Sequence, residues 1–366
     1  MSNAILVIDD DAAHCKELAD GVYAALERRG HGAVEVLQWS PGEGEEPLAR
    51  FNAFIEKYDV RLVITDYDLT QQGTLGLFGA TVVDWCQLKA IPVGDFSRKN
   101  VDALAKEPNL FELRIRIEEP EAPEQVAELY LGFEEVRQAF DEGPDIGNYR
   151  NPAAALATIL ERRGLTPQFS QYGNKYASAN ASLVDALRAD HSEEERNRLR
   201  QRFFVYIAGH ILVNSVLRFP GPLVNKRALA AYLAIHPEEA VRVEGLFTEA
   251  RYRGPFGGLE DFWWVEDIDD VLDSHRDQLD PSITYVSAGA ERRRLAEIAK
   301  GDALELDPAC NRCGGEEGGY FCPYTNRAVC ERSDCSTPSS TWIPQGARLS
   351  RLEYDFYEEW APILGM

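Results

Sequence analysis

The chain has 366 residues, 45% of them hydrophobic and 27% charged, which is enough for two or three domains with packed cores. Its formal net charge of -23 argues against a nucleic-acid partner, because phosphate contacts require clustered Lys and Arg. The N-terminal apolar run stops at Asp9 without a basic segment before it, and no later stretch has 18 uninterrupted apolar residues. We therefore expect a cytoplasmic protein without membrane segments, whose seven cysteines are thiols or metal ligands rather than disulfides.

Residues 4–120 alternate short apolar runs with helical patterns. The runs that predict strands are AILVIDD, AVEVLQW, RLVITDY, IPVGDF and LFELRIRIE, and helices are predicted over 12–29, 47–58 and 78–89. Strands that alternate with helices imply a parallel sheet covered on both faces. We therefore predict an α/β fold for residues 1–120, with a doubly wound, five-stranded parallel sheet.

The rest of the chain is predicted to form three further parts. Residues 121–150 form an acidic helix and a linker, and residues 151–280 a mainly helical domain. In that domain, Ser192 and Glu195 form a capping box that opens a long helix. Residues 281–366 form a cysteine-rich module with a C-terminal helix, because Leu349, Leu352, Phe356 and Trp360 lie at helical intervals.

Carboxylates follow two of the predicted strands. Asp9, Asp10 and Asp11 end the first strand, and Asp66 ends the third. The ends of these strands can be neighbours in a parallel sheet, so the acids would converge and repel one another unless a divalent cation neutralised them. Oxygen ligands of this kind suit Mg²⁺, which recruits phosphate, and a carboxylate beside Mg²⁺ can attack a phosphoryl group.

Residues 4–120 resemble the receiver domain of two-component response regulators. ILVIDDD is similar to the opening strand of that family, VITDYDL to the strand that carries the phospho-acceptor, and IPVGDFS to the fourth strand with its terminal Ser or Thr. The resemblance implies a flavodoxin-like sheet and a bacterial phosphorelay in which a histidine kinase phosphorylates Asp66. It also implies that Asp9, Asp10 and Asp66 bind Mg²⁺ together with the backbone carbonyl of Asp68, and that the Ser97 hydroxyl contacts the phosphoryl group.

Three positions depart from the family pattern. The family ends its fifth strand with a Lys before a Pro, whereas Glu118 and Glu119 precede Pro120 here. Arg98 stands where a small residue normally follows the Ser or Thr, and Arg116 occupies the position of the aromatic switch. The sequence therefore leaves two alternatives, a receiver that accepts phosphate at Asp66 and a pseudo-receiver that binds a partner without phosphorylation.

The stretch LVITDYDLT also matches the D-x-D-x-T pattern of haloacid-dehalogenase phosphatases. In that interpretation Asp66 is the nucleophile, Asp68 the general acid and Ser97 a phosphate donor. The only later acidic pair is in EDIDD, at 266–270. A Mg²⁺-dependent phosphatase is the first alternative function, although a full β-α-β-α unit precedes the pattern here.

Residues 310–335 contain five of the seven cysteines. Thiolates at this spacing fit tetrahedral Zn²⁺, and an iron–sulfur cluster is the alternative. Because two pairs would close the loop, we predict Cys310, Cys313, Cys330 and Cys335 as the ligands, with Cys322 as a substitute. The predicted role is structural.

A helix pair over 225–252, followed by GPFGG and FWWV, is compatible with a winged helix. Arg242, Arg251 and Arg253 would then contact DNA phosphates, but the surrounding acidic residues would repel DNA. We therefore predict a signalling protein whose helical and zinc-binding parts contact other proteins, and we leave a homodimer open. A DNA-binding regulator is the second alternative. A phospho-acceptor is expected rather than an enzyme with turnover.

Overall fold

The computed structural model describes residues 2–42, 46–70, 77–96, 110–115, 121–143, 145–179, 183, 185, 188, 191–306, 310, 312–315, 319–339 and 341–361. The chain divides into two compact units. The first comprises Met1–Ala155 and Tyr176–His210, and the second comprises Leu156–Lys175 and Ile211–Met366. The predicted domain limits at 120, 150 and 280 stay a prediction.

The first unit is built on a parallel sheet with helices between its strands. In chain order its elements are β1 Asn3–Ile8, α1 Ala12–Arg28, β2 Glu35–Trp39, α2 Pro47–Lys57, β3 Asp59–Asp66, α3 Gly79–Leu88, β4 Val93–Phe96 and β5 Leu113–Arg114. The strands lie in the order β2-β1-β3-β4-β5, and every pairing is parallel. The predicted α/β class and the parallel sheet are confirmed.

The fifth strand is much shorter than the sequence indicates. It pairs with β4 only through Leu113 and Arg114, although LFELRIRIE predicts a longer strand. Residues 116–120 lie outside the described residues. The sheet therefore has four strands of at least four residues and a two-residue fifth pairing, and the five-stranded flavodoxin-like sheet stays a prediction.

The central strands are buried because helices cover both faces of the sheet. Residues 4–8 of β1 are all 0% exposed, as are Leu62, Val63 and Ile64 of β3. A parallel strand buried on both faces has a continuous apolar run rather than an alternating pattern. This explains why AILVI and LVI predicted strands correctly.

The acidic helix predicted for 122–141 is α4, Glu121–Glu142, and it packs on α1. Gly21 permits the close approach, because a Cβ there would lie 2.8 Å from Cγ of Pro123. Arg29 of α1 donates to Glu128 of α4 at 2.8 Å. This partly exposed ion pair contributes little, and burial of the apolar residues of α4 supplies most of the stabilisation of this helix.

The next helices whose bounds the structure describes are α5 Pro152–Ile159, α6 Thr166–Ala179 and α7 Glu193–Ile211. The predicted N-cap of α7 is confirmed, since the backbone N–H of Glu195 donates to Oγ of Ser192 at 3.2 Å. The charged first turns of α7 are exposed, whereas Phe203 and Tyr206 near its end are buried.

The second unit contains a short two-stranded antiparallel sheet with helices around it. Its first elements are β6 Leu223–Asn225, α8 Lys226–Leu233, α9 Ala240–Val243, β7 Phe262–Trp264, α10 Val265–Asp273 and α11 Ala288–Lys300. Strands β6 and β7 pair antiparallel, and a core of buried residues joins α8, α10 and α11. The second helix of the predicted pair is interrupted: α9 has only four residues, with 3-10 turns at Pro237–Glu239 and Glu244–Phe247.

The C-terminal segment consists of short strands and one helix. The strands are β8 Tyr320–Cys322, β9 Arg327–Val329, β10 Ser336–Thr337 and β11 Leu352–Glu353, and the helix is α12 Tyr354–Trp360. Strands β8 and β9 form one antiparallel pair, and β10 and β11 form another. The helical spacing that included Leu349 and Leu352 was wrong for these two residues, because the backbone of Leu352 pairs with Thr337 instead.

Candidate functional sites

Three carboxylates converge at the carboxyl edge of the parallel sheet. Asp9 and Asp10 follow β1, and Asp66 is the last residue of β3, which pairs directly with β1. One carboxylate oxygen from each lies within 4.8 Å of the other two. Asp9 and Asp10 are each only 2% exposed. The three acids therefore converge as predicted, and together they can hold a metal ion.

The structure gives Asp11 a different role from its two neighbours. Its side chain caps α1 by accepting hydrogen bonds from the backbone N–H groups of Ala13 at 2.9 Å and His14 at 3.2 Å. A carboxylate in this position satisfies free N–H groups and interacts favourably with the helix dipole. Asp11 therefore fixes the start of α1, while Asp9 and Asp10 contribute to the cluster.

Asp9 accepts a donor on each of its oxygens. Its Oδ1 accepts the backbone N–H of Asp11 at 2.8 Å, and its Oδ2 is in contact with Nδ1 of His14. A histidine in the first turn of a helix is most simply expected at the surface, but the His14 side chain is only 16% exposed. Its ring lies against Phe96, with the ring centroids 5.5 Å apart.

The environment of Asp66 disfavours its charged form. Burial raises the pKa of its carboxyl from 3.8 to about 6, and the nearby Asp9 and Asp10 add to the rise. The Tyr67 backbone N–H, which donates to Oδ1 of Asp66 at 2.7 Å, and His14 act in the opposite direction. A bound divalent cation would remove the repulsion among the three acids.

Asp68 is outside the group of converging carboxylates. Its Oδ1 accepts hydrogen bonds from the Thr70 backbone N–H at 3.2 Å and from the Thr70 hydroxyl at 2.5 Å. The backbone of Asp68 also forms a bridge with Phe78. The Asp68 carboxylate thus shapes the turn after β3, which favours a role for this residue through its backbone rather than as a general acid.

Several predicted positions lie outside the described residues. Ser97 is one of them, and so are Arg98, Lys99, Arg116 and the pair Glu118 and Glu119. Their roles stay predictions.

The second candidate site is formed by four of the seven cysteines. One sulfur each from Cys310, Cys313, Cys330 and Cys335 lies within 4.8 Å of the others, and the Cys313 and Cys330 sulfurs are 3.8 Å apart. These are the four residues selected from the sequence. Cys322 is buried in β8 and is not among the four. The group can bind a metal ion.

The backbone around these sulfurs is arranged to support thiolates. The Cys310 sulfur accepts hydrogen bonds from the backbone N–H groups of Cys313, Arg312 and Cys330, which outweigh the effect of burial and lower the pKa of the Cys310 thiol. Burial raises the pKa of Cys330 to about 11. Four adjacent sulfurs cannot all ionise in a buried site without a cation, so the arrangement suits a metal.

A connected set of hydrogen bonds holds the loop that carries Cys330 and Cys335. The hydroxyl of Ser336, a residue that is 1% exposed, donates to the Cys330 carbonyl at 2.5 Å. Arg351 donates to that hydroxyl at 2.7 Å and to the Glu331 carbonyl at 3.2 Å. These contacts fix the backbone on either side of the cysteine ligands, and they are therefore part of the site.

Two residues beside the acidic cluster, His14 and Gly79, were not predicted to contact it. A Cβ on Gly79 would lie 2.3 Å from the Asp66 carbonyl oxygen, so only glycine permits this approach between α3 and the end of β3. A glycine at the start of a predicted helix was a signal for such an approach. His14 lies five residues after Asp9, and nothing in the sequence showed which way its side chain points.

Two of the three arginines proposed as DNA contacts are paired with carboxylates. Arg242 pairs with Asp302 at 2.5 Å, and Arg251 pairs with Asp261. These neighbours reduce the positive potential that phosphate binding requires. Among the described residues, no helix is both long and apolar enough to cross a membrane.

No family model, no curated protein and no solved structure matches the chain. The function is therefore proposed from the residues of the two candidate sites.

Proposed function

We propose that the first unit is a receiver-type signalling domain that binds Mg²⁺ and accepts a phosphoryl group at Asp66. The observation that carries this proposal is the convergence of Asp9, Asp10 and Asp66 where the neighbouring strands β1 and β3 end. Ligands of open α/β sheets bind at this edge, where the strand order reverses, and the observed order β2-β1-β3-β4-β5 reverses there.

The chemistry of the site supports the same proposal. Three carboxylates supply the oxygen ligands that Mg²⁺ prefers, and Mg²⁺ keeps open positions for phosphate oxygens. The backbone carbonyl of Asp68 is the proposed fourth protein ligand, in keeping with the engagement of its carboxylate by Thr70. Asp66 is the least buried of the three acids, which favours it as the nucleophile.

The direct test of this assignment uses beryllofluoride, a stable mimic of an aspartyl phosphate. ¹⁹F NMR of the full chain with Mg²⁺ and beryllofluoride should show a bound signal that disappears without Mg²⁺ and in Asp66→Ala. Asp68→Ala should retain the signal, since the proposal uses only the backbone of that residue. A signal that persists in Asp66→Ala, or that never forms, contradicts the assignment.

The phosphatase alternative is less compatible with these contacts. It requires the Asp68 carboxylate as general acid, but that group accepts two hydrogen bonds from Thr70. It also requires a second acidic pair, and within EDIDD the side chain of Asp267 pairs with Arg162 while that of Asp269 accepts from Tyr232. Turnover of p-nitrophenyl phosphate that is lost in Asp68→Asn would favour the phosphatase.

We propose further that the four-cysteine site binds Zn²⁺ and has a structural role. A tetrahedral ion with Zn–S bonds of about 2.3 Å places its sulfurs about 3.8 Å apart, and the Cys313–Cys330 separation is 3.8 Å. Metal analysis of the purified chain should find one Zn²⁺ that is lost in Cys313→Ser and retained in Cys322→Ser. Bound iron with visible absorbance would instead indicate an iron–sulfur cluster.

The output of the protein is proposed to run through protein contacts of the second unit, with a histidine kinase or another signalling protein upstream. The acidic charge and the paired arginines support protein partners over DNA. A cytoplasmic location and a homodimer belong to this proposal as well.

A further inference from the structure

The side chain of His14 contacts one of the proposed metal ligands, the Asp9 carboxylate. Its Nδ1 contacts Oδ2 of Asp9, while the backbone N–H of Asp11 donates to Oδ1 at 2.8 Å. Two donors on opposite oxygens fix the rotation of the Asp9 carboxylate. Each oxygen of an ionised carboxylate can accept more than one contact, so both keep a lone pair for a cation.

His14 is itself held in place at both its backbone and its ring. Its backbone N–H donates to the capping carboxylate of Asp11 at 3.2 Å. Its ring lies against Phe96 at an interplanar angle of 58°. Phe96 is the last residue of β4 and is the register partner of Asp66 in β3. The imidazole therefore rests on the same sheet edge that carries the proposed nucleophile.

We propose that His14 is a positioning residue, which keeps the Asp9 carboxylate oriented for a divalent cation. This inference rests on the proposed function, because it requires that the cluster binds the cation. Groups that donate hydrogen bonds to metal-ligating side chains commonly change metal affinity by about 10- to 100-fold when they are removed. His14 does not itself belong to the group of converging ligand atoms.

The test measures Mg²⁺ affinity of the full chain by isothermal titration calorimetry in three variants. His14→Leu removes the donor and should weaken Mg²⁺ binding by about tenfold. His14→Asn places an amide N–H near the position of Nδ1 and should restore most of the affinity. His31→Leu makes the same chemical change at an exposed histidine after α1 and should leave the affinity unchanged.

A purely structural role for His14 gives a different pattern. In that case His14→Leu lowers the thermal stability of the metal-free protein while the Mg²⁺ affinity of the folded fraction stays the same, and this result would overturn the inference. If His14→Leu does not fold, His14→Asn is compared with His14→Gln, whose amide reaches the position of Nε2 instead. Tighter Mg²⁺ binding by the Asn variant supports the inference, and equal binding contradicts it.

The wild-type titration separates this inference from the proposal on which it rests. A wild-type protein that binds no Mg²⁺ refutes the proposed metal site and the role of His14 with it. Wild-type binding combined with full binding by His14→Leu refutes only the role of His14.

Discussion

Asp66 is held in an environment that disfavours its negative charge, and this has a consequence for stability. Because the pKa of Asp66 is raised to about 6 in the folded protein, its proton is bound more tightly there than in the unfolded chain. The stability that this group contributes is present below its ordinary pKa of 3.8 and is lost as the pH rises through about 6. At neutral pH the ionised carboxylate therefore destabilises the metal-free fold.

Asp66→Asn should therefore stabilise the metal-free protein at pH 7 by about 1–2 kcal/mol, a value reduced from the full shift because Asp66 is partly exposed to solvent. Urea denaturation at pH 5 to 8 in Mg²⁺-free buffer measures this difference in the free energy of unfolding. The gain should shrink below pH 6. A gain that stays constant from pH 5 to 8 would contradict the electrostatic explanation.

Gly79 is the second residue with a specific expectation. Alanine is the better helix former, so Gly79→Ala at the start of α3 would ordinarily stabilise the protein. Here the added Cβ would clash with the Asp66 carbonyl oxygen, and we expect a loss of about 1–3 kcal/mol together with weaker Mg²⁺ binding. Gly42→Ala is the control, because a Cβ there meets nothing within 4 Å. Equal stability of the two variants in chemical denaturation would exclude the clash.

The three carboxylates of the acidic cluster could be predicted from the sequence. The residues that contact and position them, His14 and Gly79, could not. Asp9, Asp10 and Asp66 follow apolar strands, and the end of a strand can be read from hydropathy alone. The role of His14 depends on a side-chain direction at a helix start, and the contact of Gly79 depends on how α3 packs against β3. The direction of the His14 side chain has no local signature in the sequence, and a glycine at the start of a predicted helix indicates a close approach without identifying its partner.

At the scale of elements, the C-terminal helix α12 is connected to both halves of the four-cysteine site. The backbone N–H of Tyr354 donates to the Cys335 carbonyl at 2.9 Å. Arg312, between two of the cysteines, pairs with Asp355 at 2.6 Å and lies over the Tyr354 ring at 4.8 Å. The position of α12 therefore depends on the loops that the metal would hold.

Removal of the metal should release this helix. With EDTA present, we expect amide hydrogen exchange over residues 352–361 to increase by at least tenfold, since the loops that carry Arg312 and Cys335 would lose their cross-link. Cys335→Ser should show the same increase without chelator, and Cys322→Ser should resemble the wild type. Unchanged exchange in Cys335→Ser would mean that α12 is held independently of the metal site.

The sequence predicted elements well where burial is uniform and poorly where local and tertiary preferences conflict. The first four strands and helix α7 were recognised from apolar runs and a capping box. The helix expected over 238–252 is divided into short turns, in a segment that contains Gly245, a weak helix former. Leu352 follows a helical spacing but joins a strand, because pairing with Thr337 outweighs the periodicity.

At the scale of the whole molecule, the chain combines an α/β unit with an acidic cluster and a second unit with a four-cysteine site. The net charge of -23 and the paired arginines favour protein partners over nucleic acid. The division into two units was not apparent from the sequence, because segments from the middle of the chain belong to both. Hydropathy patterns indicate local helices and strands, and they do not show which unit a segment of the chain joins.

The central claim is that Asp66 accepts a phosphoryl group with the help of Mg²⁺. The most direct measurement is Phos-tag electrophoresis of the full chain after incubation with acetyl phosphate and Mg²⁺, with Asp66→Ala beside the wild type. We expect a retarded band for the wild type that is absent without Mg²⁺ and absent in Asp66→Ala. A wild type that shows no retarded band, or a band that Asp66→Ala retains, would contradict it.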